Sequence, residues 1–238
     1  MNKLYAIGVG PGDPELLTLK AHRILQEVAA IFVPKAKEKE ESVALDITRR
    51  YIPDGIPVEF LYMPMISCRI KLNDYWEKAA ENVLKRLMDG DVAFLTLGDS
   101  LTYSTASYLL EAIQRMQPQI KVEFVPGITS FAACAARAGL PLVEGDETLV
   151  IVPSVGAEVY LKDMLSKHEN CVLMKVSRSF DTIVKVLDEL NLKEQTLFIS
   201  RCGTEKELIT NDIDRLRGQQ IDYLSLMIVK AGKKGGLS

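Results

Sequence analysis

With 238 residues, 47% hydrophobic and 26% charged, the chain can bury one large or two small cores and is too ordinary in composition to be disordered or fibrous. A net charge of −3 supplies no basic field for a phosphate backbone, and no apolar run is long enough to span a bilayer. The cysteines (Cys68, Cys134, Cys171, Cys202) are scattered without a C-x-x-C pair, and the N-terminus enters a strand with no signal peptide. That pattern argues against structural zinc and a disulfide scaffold, and suits a reducing cytoplasm.

In chain order, the apolar run 4–9 predicts a buried strand. Gly8, Gly10 and Gly12 follow in a tight turn, with Asp13 as N-cap and Pro14 opening a helix that runs to about Glu27. A second strand spans 30–33 and is stopped by Pro34; the charged run 35–41 reads as a solvated loop. A short helix over 42–51, a strand over 58–62 and an amphipathic helix over 74–88, ended by Gly90, come next. A strand over 91–97 leads through Gly98-Asp99-Ser100-Leu101-Thr102-Tyr103-Ser104-Thr105 into a helix ending near Met116. A strand over 121–125 leads through Pro126-Gly127-Ile128-Thr129-Ser130 into a small-residue helix ending at Ala138.

Gly139-Leu140-Pro141 breaks this pattern and places a domain boundary near residue 140. Beyond it come strands over 148–152, 171–176, 196–200 and 224–229, with helices over 158–167 and 180–190 and a short one near 212–216. Strand–helix alternation predicts an α/β fold of two domains, 1–140 with a parallel sheet and 141–238 with a mixed sheet, packed with a cleft between them.

In the first domain, the turns after Val9, Leu97 and Val125 each carry glycine with a small polar or acidic residue. In a parallel sheet those strand ends share one edge, where ligands bind. The first turn is not a dinucleotide fingerprint. G-x-G-x-x-G from Gly8 needs glycine where Asp13 stands, and a carboxylate there occupies the helix end a pyrophosphate would use. A phosphate-free cofactor bearing positive charge and hydroxyls, such as S-adenosylmethionine, tolerates that acid better.

Gly8-x-Gly-Pro-Gly-Asp-Pro-x-Leu-Leu-Thr18, Gly98-Asp99 and Pro126-Gly-Ile-Thr-Ser130 resemble the tetrapyrrole methylases, in order and along the whole chain. Gly98 to Thr105 and Ser200-Arg-Cys-Gly-Thr-Glu-Lys-Glu207 are most similar to the precorrin-2/cobalt-factor II C20-methyltransferases of cobalamin biosynthesis. One departure is Ser100, where the family usually has proline; serine leaves that turn looser.

The resemblance implies S-adenosylmethionine as cofactor, a tetrapyrrole substrate and a homodimer. It implies cofactor contacts from Gly10, Pro11, Leu97, Gly98, Asp99, Thr102, Thr129 and Ser130, and from Lys175 and Gly203 in the second domain. Methyl transfer from a sulfonium needs alignment and exclusion of water more than proton chemistry. Asp99 and Tyr103 are the catalytic candidates, with positioning expected over general-base work; Glu205 is a further acid near them in this reading. A polycarboxylate macrocycle wants cations beside an apolar trough, and Lys35, Lys37, Arg49, Arg69 and Lys71 are candidates.

Cys68, His22 and His168 do not make a metal site, and any cobalt arrives inside the macrocycle. Whether the substrate is cobalt-loaded or metal-free stays open, with the cobalt-loaded form preferred. An RNA ribose methylase, a protein methylase and a non-catalytic binding protein remain alternatives; neither nucleic acid nor membrane is expected as partner.

Overall fold

The protein is described from a computed structural model over residues 2–36, 42–64, 69–153 and 157–232, with side chains throughout except at 69–71. The chain divides into two compact units, Met1–Ser130 and Phe131–Ser238.

In the first unit, strands β1 (Lys3–Gly8), β2 (Ala30–Lys35), β3 (Val58–Tyr62), β4 (Val92–Thr96) and β5 (Lys121–Val125) form a sheet in the order β3-β2-β4-β1-β5. Every neighbouring pair in it is parallel. The connections are helices α1 (Leu19–Leu25), α2 (Val43–Thr48), α3 (Arg69–Arg86) and α4 (Ala106–Met116); α5 (Ser130–Ala138) follows β5 and straddles the boundary between the units. Strands covered on both faces must be apolar at successive positions, and β4 is buried at every residue. Ile7, Ile31 and Leu95 pack on Ile24 and Leu25 of α1 and Leu45 and Ile47 of α2. Leu4, Phe32 and Phe94 pack on Ala80 and Val83 of α3 and Leu109 and Ile113 of α4. Closing a large aliphatic or aromatic side chain into such a core contributes about 1.5–3 kcal/mol, which makes these faces the main support of the sheet.

Several element ends shift by a residue or two from the sequence reading, and three differences go further. Pro34 does not stop β2. The β2–β4 ladder ends at Phe32, so Pro34, which has no N–H to give, lies where β2 pairs with β3 alone. The first helix is interrupted: Pro14–Leu16 is a single 3-10 turn, Leu17 is extended, and α1 begins afresh behind Thr18, whose hydroxyl caps Ala21 N–H. The long helix begins at Arg69 rather than at Asp74, with no Gly or Pro across 69–73 to prevent it.

In the second unit, β6 (Leu149–Pro153), β7 (Asn170–Met174), β8 (Thr196–Ser200), β9 (Leu208–Thr210) and β10 (Ser225–Lys230) form a sheet in the order β6-β7-β10-β8-β9. β6 and β7 are parallel, while β10 runs antiparallel to both β7 and β8. Helices α6 (Glu158–Lys167) and α7 (Phe180–Glu189) lay Leu161, Leu165, Ile183 and Leu187 against Leu173, Phe198 and Met227. Because β10 runs opposite to β7 and β8, the turns leaving those two strands emerge at one edge on either side of its start.

Candidate active site

The three glycine turns of the first unit are joined to one another. Gly10 and Gly98 exchange backbone hydrogen bonds (3.1 and 2.8 Å), a small antiparallel bridge between turns that leave parallel strands. Val9 N–H also donates to Thr96 C=O at 3.0 Å. Gly8 and Gly127 are in backbone contact: a Cβ on Gly127 would lie 2.2 Å from Gly98 O and 2.6 Å from Gly8 C. A Cβ on Gly8 would lie 2.6 Å from Gly98 O. No residue but glycine lets these chains approach so closely. Gly98 is different. It has φ 72°, and a Cβ there would meet only Ile128 O at 3.9 Å, so this buried glycine is required by its left-handed backbone and not by a close approach.

Asp99 ties two of the turns together. Its Oδ1 accepts from Leu101 N–H (3.0 Å), Thr102 N–H (2.9 Å) and Thr102 Oγ1 (2.9 Å), while Oδ2 accepts from Gly127 N–H (3.1 Å). Burial pushes the Asp99 carboxyl upward, but the donors of Leu101, Gly127 and Thr102 outweigh it and hold the group below its ordinary range. The carboxylate therefore stays ionised with its lone pairs occupied, which suits an anchor and not a proton acceptor. Ser104 does similar work one turn later: its buried hydroxyl bonds Thr96 Oγ1 at 3.0 Å and accepts from Ala106 N–H at 3.0 Å, tying the end of β4 to the residue that opens α4. In sequence Ser104 stands out only as part of a motif; a serine just ahead of a helical run, able to bond the backbone N–H two residues on, is the signal for this contact.

Pro11 is buried in the first turn, and Asp13 spends its carboxylate on Glu15 N–H at 2.8 Å. Leu97 is half-buried at the end of β4, and Thr129 and Ser130 are half-buried where α5 begins. These turns form a cradle of backbone groups with a fixed carboxylate in its wall and no cation at the helix start. That chemistry fits a phosphate-free cofactor with hydroxyls and a positive sulfur.

A family model described as Tetrapyrrole (Corrin/Porphyrin) Methylases matches residues 3–216. The chain belongs to the tetrapyrrole methylases. A Methanocaldococcus jannaschii protein named probable cobalt-precorrin-2 C(20)-methyltransferase is 37% identical, over 98% of both chains. The cobalt-precorrin-2 C(20)-methyltransferase of Salmonella typhimurium is 32% identical, over 95% of both. Among solved structures, a cobalt precorrin-4 methyltransferase superposes with a TM-score of 0.75 at 23% identity, covering 98% of this chain and 96% of that one. Uroporphyrin-III C-methyltransferase from Thermus thermophilus, complexed with S-adenosyl homocysteine, superposes at 0.69 and 22% identity, covering 95% and 91%. Both share the two-sheet fold described above.

The methylase places its other candidates as follows. Tyr103 is 45% exposed and held at φ 52°, a left-handed conformation costly for an aromatic residue. Lys175, directly after β7, and Arg201, directly after β8, are also left-handed (φ 58° and 48°) and flank the start of β10. Gly203 (φ 75°) donates its N–H to Glu207 Oε2 at 2.6 Å, and Glu207 also receives the Arg137 guanidinium at 2.7 Å. The Arg137 guanidinium, working against burial and joined by Gly203 N–H, holds Glu207 below the usual carboxylate range. Sequence reasoning missed this support for Gly203, since Arg137 and Glu207 are far apart in the chain. Glu205 is exposed on the same turn. Next to Gly203, Cys202 shares a thiol contact with Cys134 of α5; that contact and burial push the Cys134 thiol up, so it stays protonated.

Of the proposed substrate cations, Lys35 ends β2 with Nζ 4.0 Å from the Phe60 ring centroid, and Arg49 pairs with Asp46 at 3.5 Å. Lys37, Cys68 and the side chains of Arg69 and Lys71 lie outside the described residues. His22 is exposed on α1 with its ring edge-on to Tyr51.

Proposed function

We propose that this methylase transfers a methyl group from S-adenosylmethionine to C20 of a precorrin-2-type macrocycle, cobalt-factor II or its metal-free counterpart, in cobalamin biosynthesis. Two relatives carrying the C20 activity in their names match nearly the whole chain, and they support this substrate class. The observation that carries the site is the Asp99 carboxylate bonded to Gly127, which locks the β4 and β5 turns into one surface.

The cofactor, when bound, supplies a methyl already activated by positive sulfur. The chain's work is to hold it and aim it. In this reading the backbones of Gly10, Leu97 and Gly98, with Pro11, Thr102, Thr129 and Ser130, contact the cofactor; Lys175 and Gly203 carry that role in the second unit on the resemblance alone. Asp99 acts as a positioning residue that keeps Gly98 and Gly127 in register. Tyr103, with its ring half in solvent, is the side chain for the macrocycle face. A surface already assembled needs little reorganisation as the reaction proceeds.

The same reading makes the enzyme a cytoplasmic homodimer that acts on neither nucleic acid nor membrane. Among the described residues, no helix is long and apolar enough to cross a bilayer. Light scattering on the purified chain tests the dimer. The function is tested by incubating the protein anaerobically with methyl-labelled S-adenosylmethionine and either cobalt-factor II or precorrin-2. Label in the macrocycle at C20 is expected, with the cobalt-loaded substrate turning over faster. Label appearing only in RNA or protein overturns the reading.

A further inference from the structure

We propose that Lys35 anchors a carboxylate arm of the macrocycle, with Phe60 and Tyr62 as the apolar floor beneath it; the assignment rests on the function proposed above. It is carried by the way the first sheet divides at its ligand edge. The β2–β4 ladder ends at Phe32–Phe94, but β2 continues beside β3 as far as Lys35–Tyr62. The tip of β2 and β3 thus stands on the same edge as the β4 turn at Leu97–Asp99, unpaired to it. Three side chains at this tip are left with work undone. Phe60 and Tyr62, two residues apart and so on one face of the edge strand β3, are 47% and 40% exposed. The Tyr62 ring is braced edge-on by Tyr75 of α3 (centroids 5.2 Å apart, planes at 82°), so its exposure is fixed rather than incidental.

The Lys35 ammonium lies over the Phe60 ring and has no carboxylate partner among the described residues. Some other cations of this unit are committed: Lys3 and Lys20 to Glu123, Arg49 to Asp46, Arg86 to Glu59, Arg115 to Glu111. Arg23, Arg50, Lys78, Lys85 and Lys121 make no ion pair among the described residues either, but none of them stands at the C-terminal end of a strand, where Lys35 does. A ring under an ammonium orients it without neutralising it, and leaves its N–H donors available to an anion. A flat macrocycle rimmed with carboxylates offers what this tip lacks, an apolar face for the rings and an anion for the lysine. S-adenosylmethionine, whose net charge is positive, does not match it.

The test compares Lys35→Met, Lys35→Arg and Phe60→Leu with the unsubstituted enzyme, measuring labelled methyl transfer to cobalt-factor II and S-adenosylhomocysteine binding by calorimetry. Lys35→Met is expected to raise KM for the macrocycle about tenfold, to leave kcat within about twofold, and to flatten the rise of KM with salt, because one charge pair is gone. Lys35→Arg restores most of the lost affinity, Phe60→Leu raises KM by a smaller factor, and S-adenosylhomocysteine affinity is the same in all. An active parent enzyme with unchanged KM and salt dependence in Lys35→Met overturns the lysine assignment alone. A parent enzyme that labels neither cobalt-factor II nor precorrin-2 overturns the function and the assignment together. A parallel loss of S-adenosylhomocysteine affinity in Lys35→Met also overturns it, because the side chain would then be supporting the fold or the cofactor.

Discussion

The two units solve the same problem, holding a turn at a strand end, by different means. In the first, the turns after β1, β4 and β5 lean on one another through backbone: Gly8 on Gly127, Gly10 on Gly98, with one carboxylate bolting the set. In the second, the turn after β8 is held largely by side chains. Glu207 bonds Gly203 and Arg137, and Asp222 pairs with Arg201 at 2.6 Å while accepting Leu224 N–H at 2.8 Å. Backbone-to-backbone contact cannot yield without moving a strand, whereas an exposed ion pair is worth little and breaks readily. The turns of the first unit are braced by main chain, and the β8 turn of the second by side chains.

The largest effect should come from filling the backbone contact. Gly127→Ala would drive a methyl to 2.2 Å from Gly98 O, with only main chain to give way, and is expected to cost about 3 kcal/mol or more in denaturant unfolding. In the second unit Gly218→Ala meets nothing within 4 Å and carries only the strain of φ 72°, about 1 kcal/mol. Equal losses in the two variants would erase the distinction drawn between the units.

Removing the bolt comes next. Asp99→Ala strands the N–H groups of Leu101, Thr102 and Gly127, and is expected to cost about 2 kcal/mol and to weaken S-adenosylhomocysteine binding about tenfold. Since its folded pKa lies below the ordinary 3.8, this contribution is complete above that value and is lost as pH falls through the lower folded one. Binding that instead titrates near neutrality would show Asp99 acting as a proton-transfer group.

Arg137→Ala should do less: about 1 kcal/mol or under, diminishing in high salt, because the guanidinium is largely exposed. Smallest is Glu123→Gln. Lys20 and Lys3 hold this carboxylate at about 2, so its contribution is complete above 4.5, declines as pH falls from there, and is gone below about 2. A melting curve for this variant that departs from the parent at pH 7 by more than Arg137→Ala does would reverse this order.

Much of this architecture could be read residue by residue. The strands at 58–62, 121–125 and 196–200 and the helix at 158–167 begin and end where composition places them, because each is short, periodic and bounded by turn residues. Pro34 misled because a proline's cost in a strand depends on which side its missing N–H would face, and that follows from where a neighbouring strand stops. Of the cations suggested as substrate ligands, nothing local separated Lys35 from Arg49. The first ends a strand over an open ring and the second pairs with an acid one helical turn away.

Alternating apolar strands and helices with glycine turns between them already determined two α/β units and the three turns, because burial periodicity and backbone freedom are properties of residues taken in order; the family came from the resemblance of those turn motifs to the tetrapyrrole methylases. The partners of Asp99, the contact of Gly8 with Gly127, and the split between β2 and β4 were decided only in three dimensions. Each depends on groups distant in the chain arriving within a few ångströms of one another, and a carboxylate or a glycine carries no mark in sequence of what it will meet.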